Sequence, residues 1–133
     1  MTGTERISWV LYNKKQILFE DYSGLNGKEM LAVLRASEEI FDSLREPVRI
    51  LLNFSGATVS NEFMNEFMRR GKQYDALIRK GASIGVNGPK KALLNMYFTY
   101  TRQEHKSKIC ETTPEALDYL VAPQNSEVVE PVN

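Results

Sequence analysis

The chain has 133 residues, 42% hydrophobic and 26% charged, the size and makeup of one soluble globular domain that can bury most of its unfolded apolar surface. Seventeen basic residues balance seventeen acidic ones, so no global field attracts nucleic acid or an anionic membrane, and charge-driven binding requires a local patch. Cys110 is the only cysteine, which excludes an internal disulfide and a cysteine-built zinc site. No run approaches a membrane span, and residues 1–6 lack the apolar core of a signal peptide, so a reducing cytoplasm is expected.

Residues 7–12 and 16–22 are rich in β-branched and aromatic side chains and flank the polar turn Asn13-Lys14-Lys15, which predicts a hairpin. Ile7, Trp9 and Leu11 would share a face with Ile17 and Phe19. Asn26 stands three residues before Glu29, a capping-box spacing, and Met30, Val33, Leu34, Ser37, Phe41 and Leu44 recur at helical intervals until Glu46-Pro47 ends the first helix. The unbroken run Val48-Arg49-Ile50-Leu51-Leu52 predicts a central strand covered on both faces.

That strand gives way to Asn53-Phe54-Ser55-Gly56, and loops at the carboxyl ends of such strands are where α/β proteins gather ligands and partners. Phe63, Met64, Phe67, Met68, Tyr74 and Ile78 then predict a second amphipathic helix, with Gly71 allowing close approach to the sheet and Gly81 as its C-cap. A short strand at 82–86 follows, then an Asn87-Gly88 turn and Pro89 as the first residue of a third helix. A weak strand at 107–110 leads to a last helix capped by Thr113, with Ala116, Leu117, Tyr119, Leu120 and Val121 as packing residues. The domain is expected over 5–122, and the acidic, proline-punctuated tail 123–133 is expected to be disordered.

The order is β-β-α-β-α-β-α-β-α: one α/β domain with a mixed, mostly parallel sheet, an N-terminal hairpin at its antiparallel edge and right-handed crossovers. Four segments then point to a known group. Asp21-Tyr22-Ser23-Gly24-Leu25-Asn26-Gly27, Leu51-Leu52-Asn53-Phe54-Ser55-Gly56-Ala57-Thr58-Val59, Ser83-Ile84-Gly85-Val86-Asn87-Gly88 before Lys90-Lys91, and Glu115-Ala116-Leu117-Asp118-Tyr119-Leu120 together resemble the SpoIIAA-like proteins, bacterial relatives of the STAS domain. The resemblance covers about Ile7 to Val121 and rests on the order of these motifs.

It implies a STAS-like, SpoIIAA-like fold and a non-enzymatic module that docks on a protein partner through the loop after the third strand and the helix behind it. Candidate partner-binding residues are Ser55, Gly56, Thr58, Ser60, Asn61 and Glu62. In STAS proteins that loop reads Asp-Ser near the helix start, where the serine is phosphorylated; here the matching positions are Asn61 and Glu62, with Ser60 one residue early. Glu62 is either a phosphate mimic or an ordinary partner of the helix dipole. The group is also similar in fold to CRAL-TRIO lipid-transfer domains, which implies a carrier or sensor of an apolar, lipid-like ligand as the alternative.

Lys90 and Lys91 beside a helix N-terminus form a weak candidate anion site, although residues 81–91 have neither a dinucleotide fingerprint nor P-loop spacing. His105, the only histidine, stands between Glu104 and Lys106 in a polar loop, with no partner for a triad or a metal. Cys110 reads as a small core residue. Glu20 and Asp21 point to opposite faces of a strand, leaving Asp21 to accept from the Ser23-Gly24 turn. Neither a catalytic set, a cofactor site nor a metal site is expected. In the third helix Leu93, Leu94, Met96, Tyr97, Phe98 and Tyr100 span an arc of roughly 200° at about 100° per residue. With Leu93 and Leu94 facing the core, Met96, Tyr97 and Tyr100 are a candidate surface for a homodimer or an apolar ligand.

Overall fold

Asn13 and Lys14 both take positive φ, 49° and 66°, as a two-residue hairpin turn of type I′ requires. They join β1 (Ile7–Tyr12) to β2 (Lys15–Asp21), so Lys15 belongs to the strand and pairs with Tyr12. A three-residue turn would have set Trp9 opposite Phe19. The observed register sets it opposite Leu18, and Val10 opposite Ile17. That one-residue difference moves Ile17 and Phe19 to the face opposite Ile7, Trp9 and Leu11, correcting the expected grouping, because side chains alternate along a strand.

The computed structural model describes residues 3–123. After the hairpin come α1 (Gly27–Ser43), β3 (Val48–Asn53), α2 (Asn61–Gln73), β4 (Ile78–Ile84), α3 (Pro89–Thr101), β5 (Ser107–Ile109) and α4 (Thr113–Val121). The five strands lie in the order β1-β2-β3-β4-β5. Only the β1–β2 pair is antiparallel.

Because successive parallel strands step across the sheet in one direction, crossovers of one hand place their helices on one side. Residues of α1, α2 and α3 accordingly form one core with Leu18, Ile50 and Leu52. Ala116 and Leu120 of α4 pack on the other face against Ile17, Leu51, Ala82 and Ile84. Both faces of β3 are thus covered, and Ile50, Leu51 and Leu52 are buried as its unbroken apolar run predicts.

Local signals set several boundaries. Asn26 Oδ1 accepts from the Glu29 N–H while Glu29 Oε1 accepts from the Asn26 N–H, a complete capping box for α1. Three expectations need correction. The second helix stops at Gln73, and after a short 3-10 turn, Asp75–Leu77, β4 begins at Ile78; Gly81 therefore lies within β4 and caps nothing. A Cβ on Gly71 would meet the Tyr97 hydroxyl at 2.2 Å, so Gly71 admits α3, not the sheet. Thr112 caps α4, its Oγ accepting from the Glu115 N–H at 3.2 Å. The tail expected at 123–133 lies outside the described residues except for Pro123.

Candidate partner-binding site

Three loops leave the sheet at its carboxyl end, after β2, β3 and β4, and their backbones clasp one another. The Tyr22 N–H donates to Asn53 O at 2.8 Å, Gly24 N–H to Ser55 O at 2.9 Å, Thr58 N–H to Leu25 O at 2.8 Å and Phe54 N–H to Ile84 O at 2.9 Å. Asn53 and Asp21 each accept, at 3.0 Å, the N–H two residues on, that of Ser55 and Ser23, a turn-closing habit of short polar side chains. Gly85 has φ of 73°, and a Cβ there would lie 2.4 Å from Ser55 N; glycine lets the third loop pass the second.

The floor of the clasp is aromatic. Tyr22 stacks on Phe54 with centroids 5.2 Å apart, and Phe63 stacks on Phe67 at 5.3 Å. With the amides of Tyr22, Gly24, Phe54 and Thr58 committed within the clasp and aromatic side chains buried below, the exposed side chains of the outer face are held for recognition. It is a pre-organised surface, which lowers the entropic cost of binding.

Ser55, Gly56, Thr58, Asn61 and Glu62 are exposed on this face. Ser60 differs: it is half-buried, its Oγ accepts from the Phe63 N–H at 3.0 Å as the N-cap of α2, and it lies against Gly27, where a Cβ would come within 2.4 Å of that oxygen. Glu62 occupies the first turn of α2, the favourable place for an acidic side chain near a helix N-terminus. Lys90 is half-buried and turned toward the β3–α2 loop. Its Nζ donates to Phe54 O at 3.3 Å and Ala57 O at 3.1 Å, so the turn that starts α3 lays this side chain across the β3–α2 loop and ties it down. Lys91 is exposed.

The wide apolar arc of α3 divides in two. Leu94, Tyr97 and Phe98 are buried, whereas Leu93, Met96 and Tyr100 are exposed. Tyr97 is therefore removed from the expected surface patch: at 2% exposure it packs 4.7 Å from the Phe67 ring, in the space Gly71 leaves open. The exposed Leu93 likewise departs from its expected core-facing place. Tyr100 carries the Lys72 ammonium 3.9 Å from its ring centre, a cation–π contact at the surface. Between α2 and α3, beside the clasped loops, runs an apolar cleft lined in part by Val59, Met64, Val86, Leu93 and Lys90, with about 20 Å³ of room.

A charged centre lies deeper, at the far end of α2. Arg70 and Glu20 are both buried, and Arg70 Nη1 donates to Glu20 Oε2 at 2.6 Å and to Ser37 Oγ at 2.8 Å. The Ser37 and Tyr22 hydroxyls donate to the two carboxylate oxygens. The guanidinium also lies 5.4 Å from the centre of the Phe41 ring and 5.1 Å from that of Phe67. Burial, the largest single influence, works against its charge, but Glu20 foremost, together with Tyr22 and Tyr97, outweighs it and raises the Arg70 pKa. Burial, then the Glu20 charge, hold the Tyr22 hydroxyl well above its ordinary range. Burial pushes Tyr97 up to about 12. The network ties β2, α1 and α2 together.

In the sequence, neither Glu20 nor Arg70 announces this pairing. A signal existed: Glu20 shares a strand face with Leu18 and Tyr22, and Arg70 falls on the same helical stripe as Phe63 and Phe67. Paired charges at core positions of two elements are what a buried ion pair looks like in one dimension.

Cys110 is buried and its thiol is pushed up by that burial, away from the thiolate a nucleophile needs. His105 is exposed at the rim of an open groove at the opposite end of the sheet, with Arg79, Lys80 and Lys106. Lys80 there donates to Tyr119 O and Ala122 O, and Lys106 to Asp75 O and Ile78 O, so both lysines tether the chain's own carbonyls. Among the described residues no group of three His, Cys, Asp or Glu side chains could hold a metal ion, and no helix is long and apolar enough to cross a membrane.

No protein-family model matches the sequence, and no curated protein matches it. Among solved structures, the chain is similar to an uncharacterised protein of the DUF3478 family with a SpoIIAA-like fold from Shewanella loihica PV-4. The identity is 15%, over 86% of this chain and 91% of that one, with a TM-score of 0.67. The chain therefore has a SpoIIAA-like, STAS-like fold, as the order of its motifs implied.

Proposed function

We propose that the chain is a non-enzymatic, STAS-like module that recognises a protein partner through the clasped loop face, with Ser55, Gly56, Thr58, Asn61 and Glu62 in contact and Leu93 and Met96 extending the surface. The observation that carries this reading is the clasp itself. Four hydrogen bonds among the loops and the strand ends they leave hold polar, exposed side chains in one arrangement, and exposed residues on a rigid loop platform are suited to recognition. Ser60 serves in this reading as the cap that aims α2, and its hydroxyl is not the regulatory group. The setting is a reducing cytoplasm, which suits an unpaired Cys110.

The cleft beside the loops, with about 20 Å³, is near the size of one water, whereas a site for a drug-sized ligand takes roughly 300–1,000 Å³. This favours a partner protein over a carried lipid. A second copy of the chain resting on Met96 and Tyr100 is the remaining occupant to separate, and sedimentation equilibrium does so.

The test is site-specific photocrosslinking in the native host, with the reactive group placed at Thr58 or, for comparison, at exposed Glu39 of α1. A discrete adduct from Thr58 and none from Glu39 is expected. Equal adducts from both positions, or none from either, contradict the reading.

A further inference from the structure

Two polar atoms deep in the molecule have no hydrogen-bond partner among the described residues: Arg70 Nε and Ser83 Oγ. They belong to different elements, α2 and β4, yet both line one small cavity between the sheet, α2 and α3. Arg70 is 2% exposed and Ser83 1%. The cavity has about 20 Å³ of room; its lining is mostly apolar, and Tyr97, Gln103 and Ser107 are the other polar residues that reach it. Buried donors are ordinarily satisfied, and a space above roughly 10–15 Å³ with two to four polar partners is one that an internal water fills.

We propose that this cavity is a binding site for a single water molecule, which accepts from the Arg70 Nε–H, pairs with the Ser83 hydroxyl and so bridges α2 to β4. Charge selects water over a small anion. Arg70 is already neutralised by Glu20 at 2.6 Å, and a second negative charge in this closed space would have no countercharge. Size selects water over any organic molecule. The bridge sets how deeply the third turn of α2 seats on the sheet, and Gly81 keeps the site open from the β4 side: a Cβ there would meet only Ser107 Oγ, at 3.5 Å, an ordinary contact, while reaching into the same cavity.

The experiment is water-selective nuclear Overhauser spectroscopy on isotopically labelled protein, reading the resolved Arg70 Nε–H. The wild-type protein is expected to give a cross-peak to water with the sign of a slowly exchanging, rigidly held molecule. Gly81→Ala, checked for native fold by circular dichroism, is expected to lose it. Should that variant not fold, Ser83→Val occupies the space from the neighbouring position and carries the same expectation. No cross-peak in the wild type, or one that survives either filling substitution undiminished, overturns the proposal. So does an anomalous bromide peak at this position in a bromide-soaked crystal, which would make the occupant an anion.

Discussion

The two ends of α2 do opposite work. Its first turn carries Asn61 and Glu62 into solvent and is fixed by the Ser60 cap and the buried Phe63, while its third turn sinks Arg70 between Phe41 and Phe67 onto Glu20 of the sheet. One helix thus joins an exposed end, the proposed recognition surface, to an anchor that tolerates little change. The difference arises from desolvation: a charge left in water loses little when its neighbour is removed, whereas a buried one loses its only compensation.

The anchor is where the comparison breaks most sharply. Arg70→Met leaves the Glu20 carboxylate buried and unpaired, and urea denaturation should show a loss of about 3–5 kcal/mol. Replacing both partners, as in Glu20→Leu with Arg70→Met, should restore much of it, because two apolar side chains have no charge to desolvate. A double variant as unstable as the sum of the singles would show that Arg70 acts through packing and not through its charge.

Next in size is a response to alkaline pH. Tyr97, pushed up to about 12 by burial, ionises in the unfolded chain near its ordinary value of about 10 before it ionises in the native one. Its contribution is therefore intact below about pH 10 and is lost as pH climbs toward 12, at about 1.4 kcal/mol per pH unit. Tyr22 is displaced in the same direction and adds to the slope. Tyr97→Phe should flatten the fall measured by denaturation at successive pH values, and an unchanged slope would mean that Tyr97 does not titrate between the two states.

At the other end of α2, Ser60→Ala removes the cap and should cost about 1 kcal/mol. Thr58→Arg should stay within about 0.5 kcal/mol of the parent, whereas Glu62→Arg, which reverses a charge at the N-terminus of α2, should cost about 1 kcal/mol. The Ser60 and Thr58 results sharpen the division, since they separate the residue that aims the helix from one proposed to meet the partner.

What was legible in the sequence was local. The capping box of α1 is a three-residue spacing, and the buried strand β3 is an unbroken apolar run, so both could be read without knowing any neighbour. The hairpin was legible in kind but not in register, because whether the turn holds two residues or three depends on Asn13 and Lys14 accepting positive φ. Tyr74 and Ile78 continue the helical spacing of α2, so nothing in that spacing marks the short turn that ends the helix. The division of α3 into a buried Tyr97 and an exposed Tyr100 depends on Gly71 in another helix. Glu20 and Arg70 stand fifty residues apart, and their meeting is a property of the tertiary fold. The loop face itself was found from the end of the β3 run, while the roles of Ser60 as cap and Lys90 as a tie across the loop became visible only with their partners.

Recognition on the clasped loops, as proposed, is separable from stability. The most direct measurement pairs the dissociation constant for the partner isolated by crosslinking with the urea midpoint, for the parent and for Thr58→Arg. The account predicts binding weakened by at least about tenfold, equivalent to roughly 1.4 kcal/mol, at an unchanged midpoint. An unchanged dissociation constant, or a loss of binding that merely follows a loss of stability, would contradict it.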